Sequence, residues 1–483
     1  MGVLKISKNV FEIEMKEVGD CKHVALYHSI SMDVVYVKKV IYEKIKNEIG
    51  NNDYTDFSGD VVNNLQMKKF IVPCEIDESD ELCKIAESIS VMKASTLRLQ
   101  LTDVCNLNCT YCQIERNYKK NNQVHMSEDI ATRSLKLFAK HAPKNTQKTI
   151  IFTGGEPMLN ITVIERLFVI AKDLLDSYRF ILFTNGTMIT ERIAKLLKEN
   201  NVLVLISLDG NEELHDASRK DFFGKGSFRE ALNGYYICKK CECNVGISGV
   251  IGSHNITELD SKVIDFFINI GLDSLGLNFT HYLLNEDNTK ILHMADYSNA
   301  IISAYKKLRD HGIYLENINR VIEPFVKQKI NAKECAGLGR GITVLPDGTV
   351  GPCKTLLVAD VIGAPIDEIE KLEKLEDSSE FLKWRNRSTY TLECCKECVG
   401  ISLCGSGCAY DSYVVNGNID GVDKRTCIFI EKILGFLIND LYLHMQDSYN
   451  LDIIIPTSED RKKIYSSITI AENSLNRSAG HEI

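Results

Sequence analysis

Three cysteines lie within ten residues of the sequence, in the segment VCNLNCTYCQ. Cys105, Cys109 and Cys112 follow the spacing C-x3-C-x2-C. Thiolates at such short intervals are typical of zinc and iron–sulfur centres. Four thiolates close a tetrahedral site, whereas three leave one coordination position open. The spacing therefore indicates either a four-iron cluster with one iron free for another ligand, or a structural zinc site.

Composition limits the compartment and the partners. The chain has 483 residues, 17 cysteines and a net charge of -9. No stretch concentrates basic residues and no apolar run is long enough to cross a bilayer, so we expect neither a nucleic-acid partner nor a membrane. The first residues lack the apolar core of a signal peptide, which predicts a cytoplasmic protein. In a reducing compartment, clustered thiols bind metal or perform redox chemistry more often than they form disulfides.

A second, longer cysteine series lies near the C-terminus. Its seven members are Cys335, Cys353, Cys395, Cys398, Cys404, Cys408 and Cys427. Pro346, Asp347 and Gly348, between the first two, predict a hairpin turn. Zinc knuckles use closed sets of four thiolates, and seven cysteines do not supply two such sets. The series therefore favours iron–sulfur clusters over zinc.

The residues that must position these thiols alternate between two patterns from Thr96 onward. Six apolar, β-branched segments alternate with amphipathic helical ones. The strand candidates cover 96–103, 149–155, 179–186, 202–210, 244–252 and 274–280. The helix candidates begin after Ser127 and cover 161–177, 190–200, 227–239 and 259–270. Such a series predicts an α/β fold with a parallel sheet curled into a partial (β/α)6 barrel, whose active site lies at the carboxyl ends of the strands.

These carboxyl ends carry polar and glycine residues. Cys105 follows the first strand, Gly154 to Glu156 end the second, and Asn185 ends the third. Ser207 and Asp209 end the fourth. Glycine and asparagine are ordinary turn formers. Their collection on the rim that carries the cysteines nevertheless indicates a binding site.

Taken together, these segments resemble the radical S-adenosylmethionine (SAM) superfamily. The resemblance rests on the cysteine loop with Tyr111 before its last cysteine, and on GGEP at Gly154–Pro157. SLDG at Ser207–Gly210 and HDASR at His215–Arg219 resemble the branch of anaerobic sulfatase maturases and peptide maturases. The resemblance implies that the open iron chelates S-adenosylmethionine, and that a 5'-deoxyadenosyl radical abstracts hydrogen from a substrate.

The resemblance also implies roles for single residues. Cys105, Cys109 and Cys112 would hold the catalytic cluster. The GGEP segment would receive the cofactor's amino group, and Ser207 and Arg219 are candidates for its carboxylate or ribose. The expected cofactor-binding residues are Tyr111, Gly154, Gly155, Glu156, Pro157, Asn185, Ser207, Asp209 and Arg219.

The C-terminal series resembles the SPASM extension of radical enzymes, which implies two auxiliary [4Fe-4S] clusters and three clusters in all. By this resemblance Cys395, Cys398, Cys404 and Cys427 hold the distal cluster. Cys335, Cys353 and Cys408 hold the cluster nearer the active site. Two full sets need eight thiolates. Either another cysteine such as Cys394 completes the nearer set, or that cluster keeps an open iron that can bind a substrate thiolate.

The chain divides into five predicted regions. Residues 1–88 form a small α+β, winged-helix-like module, in which Val37, Ile41, Ile45 and Ile49 share one face of a helix. Residues 89–300 form the barrel, 301–334 a bridging region and 335–430 the SPASM domain. Residues 431–483 form a C-terminal helix and tail that pack on the SPASM domain. The module resembles a leader-peptide recognition element, which binds a leader as an added strand.

Three functions follow from this organisation. The first is a peptide maturase that installs thioether links in a cysteine-containing, ribosomally made precursor peptide with a leader. Its electron donor would be a flavodoxin-like or ferredoxin-like protein. The second is an anaerobic sulfatase-maturating enzyme that generates formylglycine. The third is a non-catalytic iron–sulfur redox sensor, against which the intact GGEP and SLDG segments argue.

Overall fold

The structure is a computed structural model that describes residues 3–15, 22–51, 59–112, 124–284 and 293–464. Cys21 and the tail after residue 464 lie outside the described residues. No helix within the described ranges is long and apolar enough to cross a membrane.

The N-terminal module combines short strands with three helices. Its elements are β1 (Leu4–Ile6), β2 (Val10–Ile13), β3 (His23–His28), β4 (Val34–Lys38), α1 (Lys39–Asn51), α2 (Gly59–Met67), β5 (Ile71–Pro73) and α3 (Ser79–Ile89). β2, β3 and β4 form an antiparallel meander, and β1 pairs with β5. The expectation that Val37 belongs to the helix is wrong, because Val37 pairs with Val24 in β4.

The predicted barrel strands are all present and parallel. They are β6 (Thr96–Gln100), β7 (Lys148–Thr153), β8 (Tyr178–Thr184), β9 (Val202–Ile206), β10 (Asn244–Ile251) and β11 (Ser274–Phe279). They lie side by side in chain order. This order confirms the partial (β/α)6 barrel, whose core is formed by strand and helix side chains with near-zero exposure.

The helices of the barrel follow the predicted alternation. They are α4 (Glu128–His141), α5 (Ile161–Leu174), α6 (Glu191–Glu199), α7 (Glu212–Ser218), α8 (Phe228–Lys240), α9 (Asp265–Asn269) and α10 (Met294–Asp310). Ser127 caps α4 by accepting a hydrogen bond from the Ile130 amide, as its position before two acidic residues predicts. The segment Leu259–Ile264 before α9 is a π-helix.

The cysteine-rich region extends the same sheet. Before it, the bridging region contains β12 (Tyr314–Leu315) and α11 (Glu316–Lys327). The elements of the cysteine-rich region are β13 (Gly341–Val344), β14 (Thr349–Gly351), α12 (Lys354–Val358), β15 (Ala364–Pro365), α13 (Ile366–Ile369), α14 (Ser379–Asn386) and α15 (Ala409–Asn416). β13 and β14 form the predicted hairpin. β13 also pairs in parallel with β6, so the cysteine-rich region is joined directly to the first barrel strand.

The C-terminal elements return to the start of the chain. They are α16 (Lys424–Leu443), β16 (Ile453–Ile454) and α17 (Ser458–Lys463). α16 packs along α10 of the barrel and touches the N-terminal module, where the Tyr36 hydroxyl donates to the Ile438 carbonyl at 2.7 Å. β16 pairs with β4. The C-terminal elements therefore contact the barrel and the N-terminal module as well as the cysteine-rich region, where Ile430 lies beside Gly400.

Candidate active site

The cysteine loop lies at the carboxyl end of β6 and is held from two sides. On one side the Gly155 amide donates to the Thr102 carbonyl and the Glu156 amide to the Val104 carbonyl, both at 2.8 Å. On the other side the Asn108 amide donates to the Lys220 carbonyl at 2.7 Å. The loop thus takes its shape from the two segments that follow β7 and α7.

Glycine is required where the GGEP segment meets this loop. A Cβ on Gly155 would lie 2.3 Å from the Val104 carbonyl oxygen, and one on Gly154 would lie 2.5 Å from the Thr102 carbonyl oxygen. Both distances are far below van der Waals contact. The glycines let the two backbones approach closely enough to hydrogen-bond.

Glu156 is buried and faces the protein. Its carboxylate accepts hydrogen bonds from the Thr184 hydroxyl at 2.7 Å, the Asn185 amide at 2.8 Å and the Met158 amide at 3.1 Å. Burial raises the pKa of Glu156 to about 7, against the lowering effect of these donors. The side chain ties the ends of β7 and β8 together. Pro157, also buried, begins the short 3-10 helix that follows.

Asn185 supports the loop from the end of β8. Its side-chain amide donates to the Asn106 side-chain oxygen at 2.8 Å and lies 3.9 Å from the Cys105 sulfur. Its side-chain oxygen accepts from the Thr187 amide at 3.0 Å. Asn106 in turn donates to the Thr187 hydroxyl. This closed network fixes the orientation of the first cysteine.

Arg219 and Asp209 form a buried pair beneath the loop. Arg219 Nε donates to Asp209 Oδ2 at 2.9 Å, and Nη2 donates to Oδ1 at 3.1 Å. Tyr111 donates its hydroxyl to Asp209 and lies under the Arg219 guanidinium. Burial raises the pKa of Asp209, but Arg219 and Tyr111 outweigh it, and the pKa stays below its usual value.

This pairing gives each of the two side chains two hydrogen bonds. Asp209 is completely buried and accepts two further hydrogen bonds, one from the Tyr111 hydroxyl and one from the Val250 amide at 2.9 Å. Arg219 directs Nε and Nη2 to Asp209, and its contact with the cofactor stays a prediction. Both residues position Tyr111 and the cysteine loop.

Ser207 remains available for a ligand. It follows β9 and is half-buried, and its amide donates to the Thr184 carbonyl at 2.9 Å. Its hydroxyl has no hydrogen-bond partner among the described residues. An open hydroxyl at the carboxyl end of a barrel strand is suited to a polar ligand.

The three thiols of the loop gather in a partly buried pocket. Burial is the main reason that the pKa of Cys105 rises to about 12; the Leu107 amide lowers this pKa, and the neighbouring Glu156, Cys109 and Cys112 make smaller contributions that raise it. Burial likewise raises the pKa of Cys109 to about 11. A metal centre removes these protons and takes the thiolates as ligands.

The predicted distal set also comes together. Cys427 and Cys395 lie close enough to Cys404 to raise its pKa, after burial as the main cause. Cys398 is a third neighbour of Cys404. Cys394 lies beside this set, with its sulfur 4.0 Å from that of Cys395. Cys394 is therefore not the thiol that completes the nearer set.

The predicted nearer set lies between short elements. Cys335 precedes β13, Cys353 caps α12 and Cys408 caps α15. The three pack against one apolar cluster that includes Trp384 and Tyr410. Burial raises the pKa of Cys353 and of Cys408 to about 11, with Cys335 a neighbour of Cys353 and Cys353 a neighbour of Cys408.

The distances between the cysteine sulfurs can be compared with those in a tetrahedral zinc site. A tetrahedral zinc site with Zn–S bonds of about 2.3 Å brings its sulfurs within about 4 Å of one another. Over the described ranges, the only three His, Cys, Asp or Glu side chains whose ligand atoms all lie within 4.8 Å of one another are His281, Cys408 and Asp411. Among the described residues, no three cysteine sulfurs therefore lie as close together as one tetrahedral zinc ion requires.

Several residues of the site were not predicted. His254 stacks on Tyr111, with ring centroids 5.6 Å apart. Lys354 lies between the two nearest cysteine sets, where burial and then Arg98 lower its pKa to about 8 while Cys112 and Cys353 raise it. Within the described part of the chain, neither Lys354 nor Arg98 forms an ion pair. The adjacency of Lys354 to Cys353 was the available sequence signal.

Cys238 and Cys243 belong to the apolar core and to none of the cysteine sets described above. Both are buried in the barrel, and the Cys243 thiol donates to the Ala194 carbonyl at 3.1 Å.

Comparison with known proteins identifies the barrel. Residues 99–267 match the Radical SAM superfamily. The chain is 25% identical over 453 residues to the radical SAM cyclopropyl synthase TigE of Paramaledivibacter caminithermalis, covering 86% of this chain and 92% of that protein. It is 28% identical over 331 residues to a cysteine-type anaerobic sulfatase-maturating enzyme of Clostridium perfringens, covering 63% and 85%.

Solved structures share the fold. The structure of anSMEcpe with bound AdoMet and Kp18Cys peptide has a TM-score of 0.61 and 22% identity, covering 74% of this chain and 99% of that chain. The structure of Streptococcus suis SuiB bound to S-adenosylmethionine has a TM-score of 0.51 and 14% identity, covering 88% and 99%.

Proposed function

This chain is a radical SAM enzyme, and from that premise we propose that it matures a ribosomally made, cysteine-containing peptide by joining a cysteine sulfur to a carbon atom. One observation carries the proposal. A set of three thiols, Cys335, Cys353 and Cys408, lies beside the active-site rim without a fourth cysteine among the described residues. An incomplete set next to the radical chemistry fits an enzyme whose substrate is itself a thiol.

The chain's own residues provide the setting for the reaction. Cys105, Cys109 and Cys112 would hold the catalytic cluster, and the Asp209–Arg219 pair and Asn185 fix their loop. Ser207 offers a hydroxyl to the cofactor. Arg98 and Lys354 offset the negative charge that thiolate-bound clusters bring into a partly buried space.

The proposed formation of the S–C bond is an oxidation of the peptide. A thiol S–H bond and a carbon C–H bond break, and an S–C bond forms, so the peptide loses two hydrogen atoms. Bound S-adenosylmethionine supplies the 5'-deoxyadenosyl radical that takes one of them. The other leaves as a proton and an electron, for which an auxiliary iron–sulfur cluster is the proposed acceptor.

A second product class has support from the relatives. TigE is named a cyclopropyl synthase, and it aligns with more of this chain than the barrel and the cysteine-rich region contain. A cyclopropane ring also costs the peptide two hydrogen atoms but leaves its thiols free. The sulfatase maturases align with a smaller share of the chain. Formylglycine formation is therefore the third choice, and it yields an aldehyde.

The number of clusters is part of the proposal. We expect three [4Fe-4S] clusters, which means about twelve irons per chain after anaerobic reconstitution. The Cys105/Cys109/Cys112→Ala triple variant should keep about eight. About four irons with zinc in the wild type would instead make the C-terminal cysteines structural.

One assay separates the product classes. The reconstituted enzyme is incubated with S-adenosylmethionine, a strong reductant and a synthetic cysteine-containing precursor peptide. We expect 5'-deoxyadenosine, a peptide lighter by two hydrogens, and a cysteine that iodoacetamide no longer alkylates. Cys105→Ala should abolish all three. A lighter peptide with alkylatable thiols would establish the ring-forming alternative, and a hydrazide-reactive peptide would establish formylglycine.

Partners and compartment follow from the same proposal. A precursor peptide with a leader would dock on the N-terminal module, and a flavodoxin-like or ferredoxin-like protein would supply electrons. The peptide, the donor and oxygen-sensitive clusters all belong in the cytoplasm.

A further inference from the structure

The nearer cysteine set has a histidine beside it. His281 follows β11 at the carboxyl end of the barrel sheet, and its side chain is 36% exposed. The ligand atoms of His281, Cys408 and Asp411 all lie within 4.8 Å of one another. Cys408 is thus shared between the thiol set and this group.

The orientation of His281 is fixed by a buried carboxylate. Asp411, in α15, accepts a hydrogen bond from His281 Nδ1 at 2.7 Å and one from the Tyr282 amide at 3.1 Å. The side chain of Asp411 is only 1% exposed. Because Asp411 occupies Nδ1, Nε2 is the nitrogen left to coordinate a metal. A histidine that binds metal through one nitrogen characteristically donates from the other to a carboxylate.

The backbone that carries His281 is held as firmly. Arg425 donates from Nη1 to the Thr280 carbonyl at 3.1 Å and lies 3.7 Å from the centre of the Tyr282 ring. The Tyr410 hydroxyl donates to the Tyr282 carbonyl at 2.9 Å. These contacts fix the position of a half-buried histidine, as the position of a metal ligand has to be fixed.

We propose that His281 is the fourth ligand of the auxiliary cluster held by Cys335, Cys353 and Cys408. The inference rests on the proposed function, since that function supplies the cluster. It replaces the missing eighth thiolate with an imidazole. A neutral imidazole in place of an anionic thiolate makes a cluster easier to reduce, which suits a centre that must accept an electron. A substrate thiolate can also displace the imidazole of His281 from the cluster.

Electron paramagnetic resonance tests this ligand directly. The Cys105/Cys109/Cys112→Ala variant is expressed with ¹⁵N-labelled histidine, reconstituted anaerobically with iron and sulfide, and reduced. In this variant only the auxiliary clusters contribute to the spectrum. We expect a ¹⁵N hyperfine coupling typical of a coordinated histidine. It should persist in the His311→Ala control, since His311 lies at the exposed end of α10. It should disappear in His281→Ala and in His281→Cys.

His281→Cys separates ligation from mere proximity. A thiolate at this position should keep about eight irons per chain and lower the midpoint potential of one auxiliary cluster. Absence of any histidine coupling in a protein that holds eight irons overturns the inference and leaves the proposed function standing. A protein that holds no iron in this background overturns the auxiliary clusters themselves, and with them the proposed function.

Discussion

The polar side chains around the cysteine loop divide into those that hold the loop and those left for a ligand. Glu156 and Asp209 face inward, and their oxygens are filled by donors from β8 and from Arg219. The Ser207 hydroxyl has no hydrogen-bond partner in the part of the chain that the structure describes. The sequence placed all of them on one rim, because strand ends are local features. It did not separate their roles, because their partners come from distant parts of the chain.

A substitution at Ser207 tests whether its hydroxyl contacts the cofactor. Ser207→Ala removes one hydrogen bond to the cofactor, worth about 1 kcal/mol, so the Kd for S-adenosylmethionine should rise about fivefold. Equilibrium dialysis of the reconstituted enzyme measures it. Ser261→Ala, on the exposed surface of the π-helix, is the matched control and should leave the Kd unchanged. An unchanged Kd in Ser207→Ala would exclude this contact.

Because His215 is buried, we expect the free energy of unfolding to depend on pH. Burial, and then the Arg219 charge, lower its pKa to about 4, below the 6.5 of an unfolded chain. Between these values the unfolded chain binds a proton that the folded chain excludes. The neutral His215 side chain therefore accounts for about 3 kcal/mol of the free energy of unfolding above pH 6.5. This stabilisation is lost as the pH falls towards 4.

The variant His215→Gln isolates this effect, since glutamine can still donate to the Ser227 hydroxyl, as His215 Nε2 does at 3.1 Å. The free energy of unfolding, measured anaerobically in urea at pH 7.5 and 5.5, should fall less in the variant than in the wild type. Equal losses in both proteins would show that His215 does not titrate in this range.

At the scale of elements, local patterns predicted structure and long-range pairing did not. The Ser127 cap, the hairpin at Pro346–Gly348 and six barrel strands follow from nearby residues. The parallel pairing of β13 with β6 joins residues that are more than 200 positions apart. Val37 shows the same limit, since its spacing to Ile41 suits a helix and its partner Val24 makes it a strand residue.

The close backbone contact between the GGEP segment and the cysteine loop can be tested by adding a side chain at Gly155. Gly155→Ala places a methyl group 2.3 Å from the Val104 carbonyl oxygen. The loop must move away, so we expect about four fewer irons per chain and loss of 5'-deoxyadenosine formation. Gly276→Ala in β11 is the control, because its Cβ would lie 3.8 Å from the nearest atom. Full iron content in Gly155→Ala would mean that the loop tolerates the displacement.

On the scale of the whole molecule, the N-terminal module is not a detachable unit. Its strand β4 pairs with β16 from the tail. The buried Arg461 of α17 donates to the Met32 carbonyl at 2.9 Å and to the Phe325 carbonyl at 3.0 Å, which links module, tail and α11. Deleting residues 1–88 would expose these surfaces. Loss of activity in such a truncation would therefore not show that the module binds a leader.

The edges of the module sheet suggest a test that leaves the protein intact. β16 already covers β4, whereas β2 forms the opposite edge and has no second strand partner among the described residues. A leader that adds as a strand should therefore pair with β2. In hydrogen exchange, the leader peptide should slow exchange of residues 10–13 and leave residues 34–38 unchanged, while a scrambled peptide should slow neither. Slower exchange of 34–38 with faster exchange of 453–454 would mean instead that the leader displaces β16, and no change at either edge would remove the module from substrate binding.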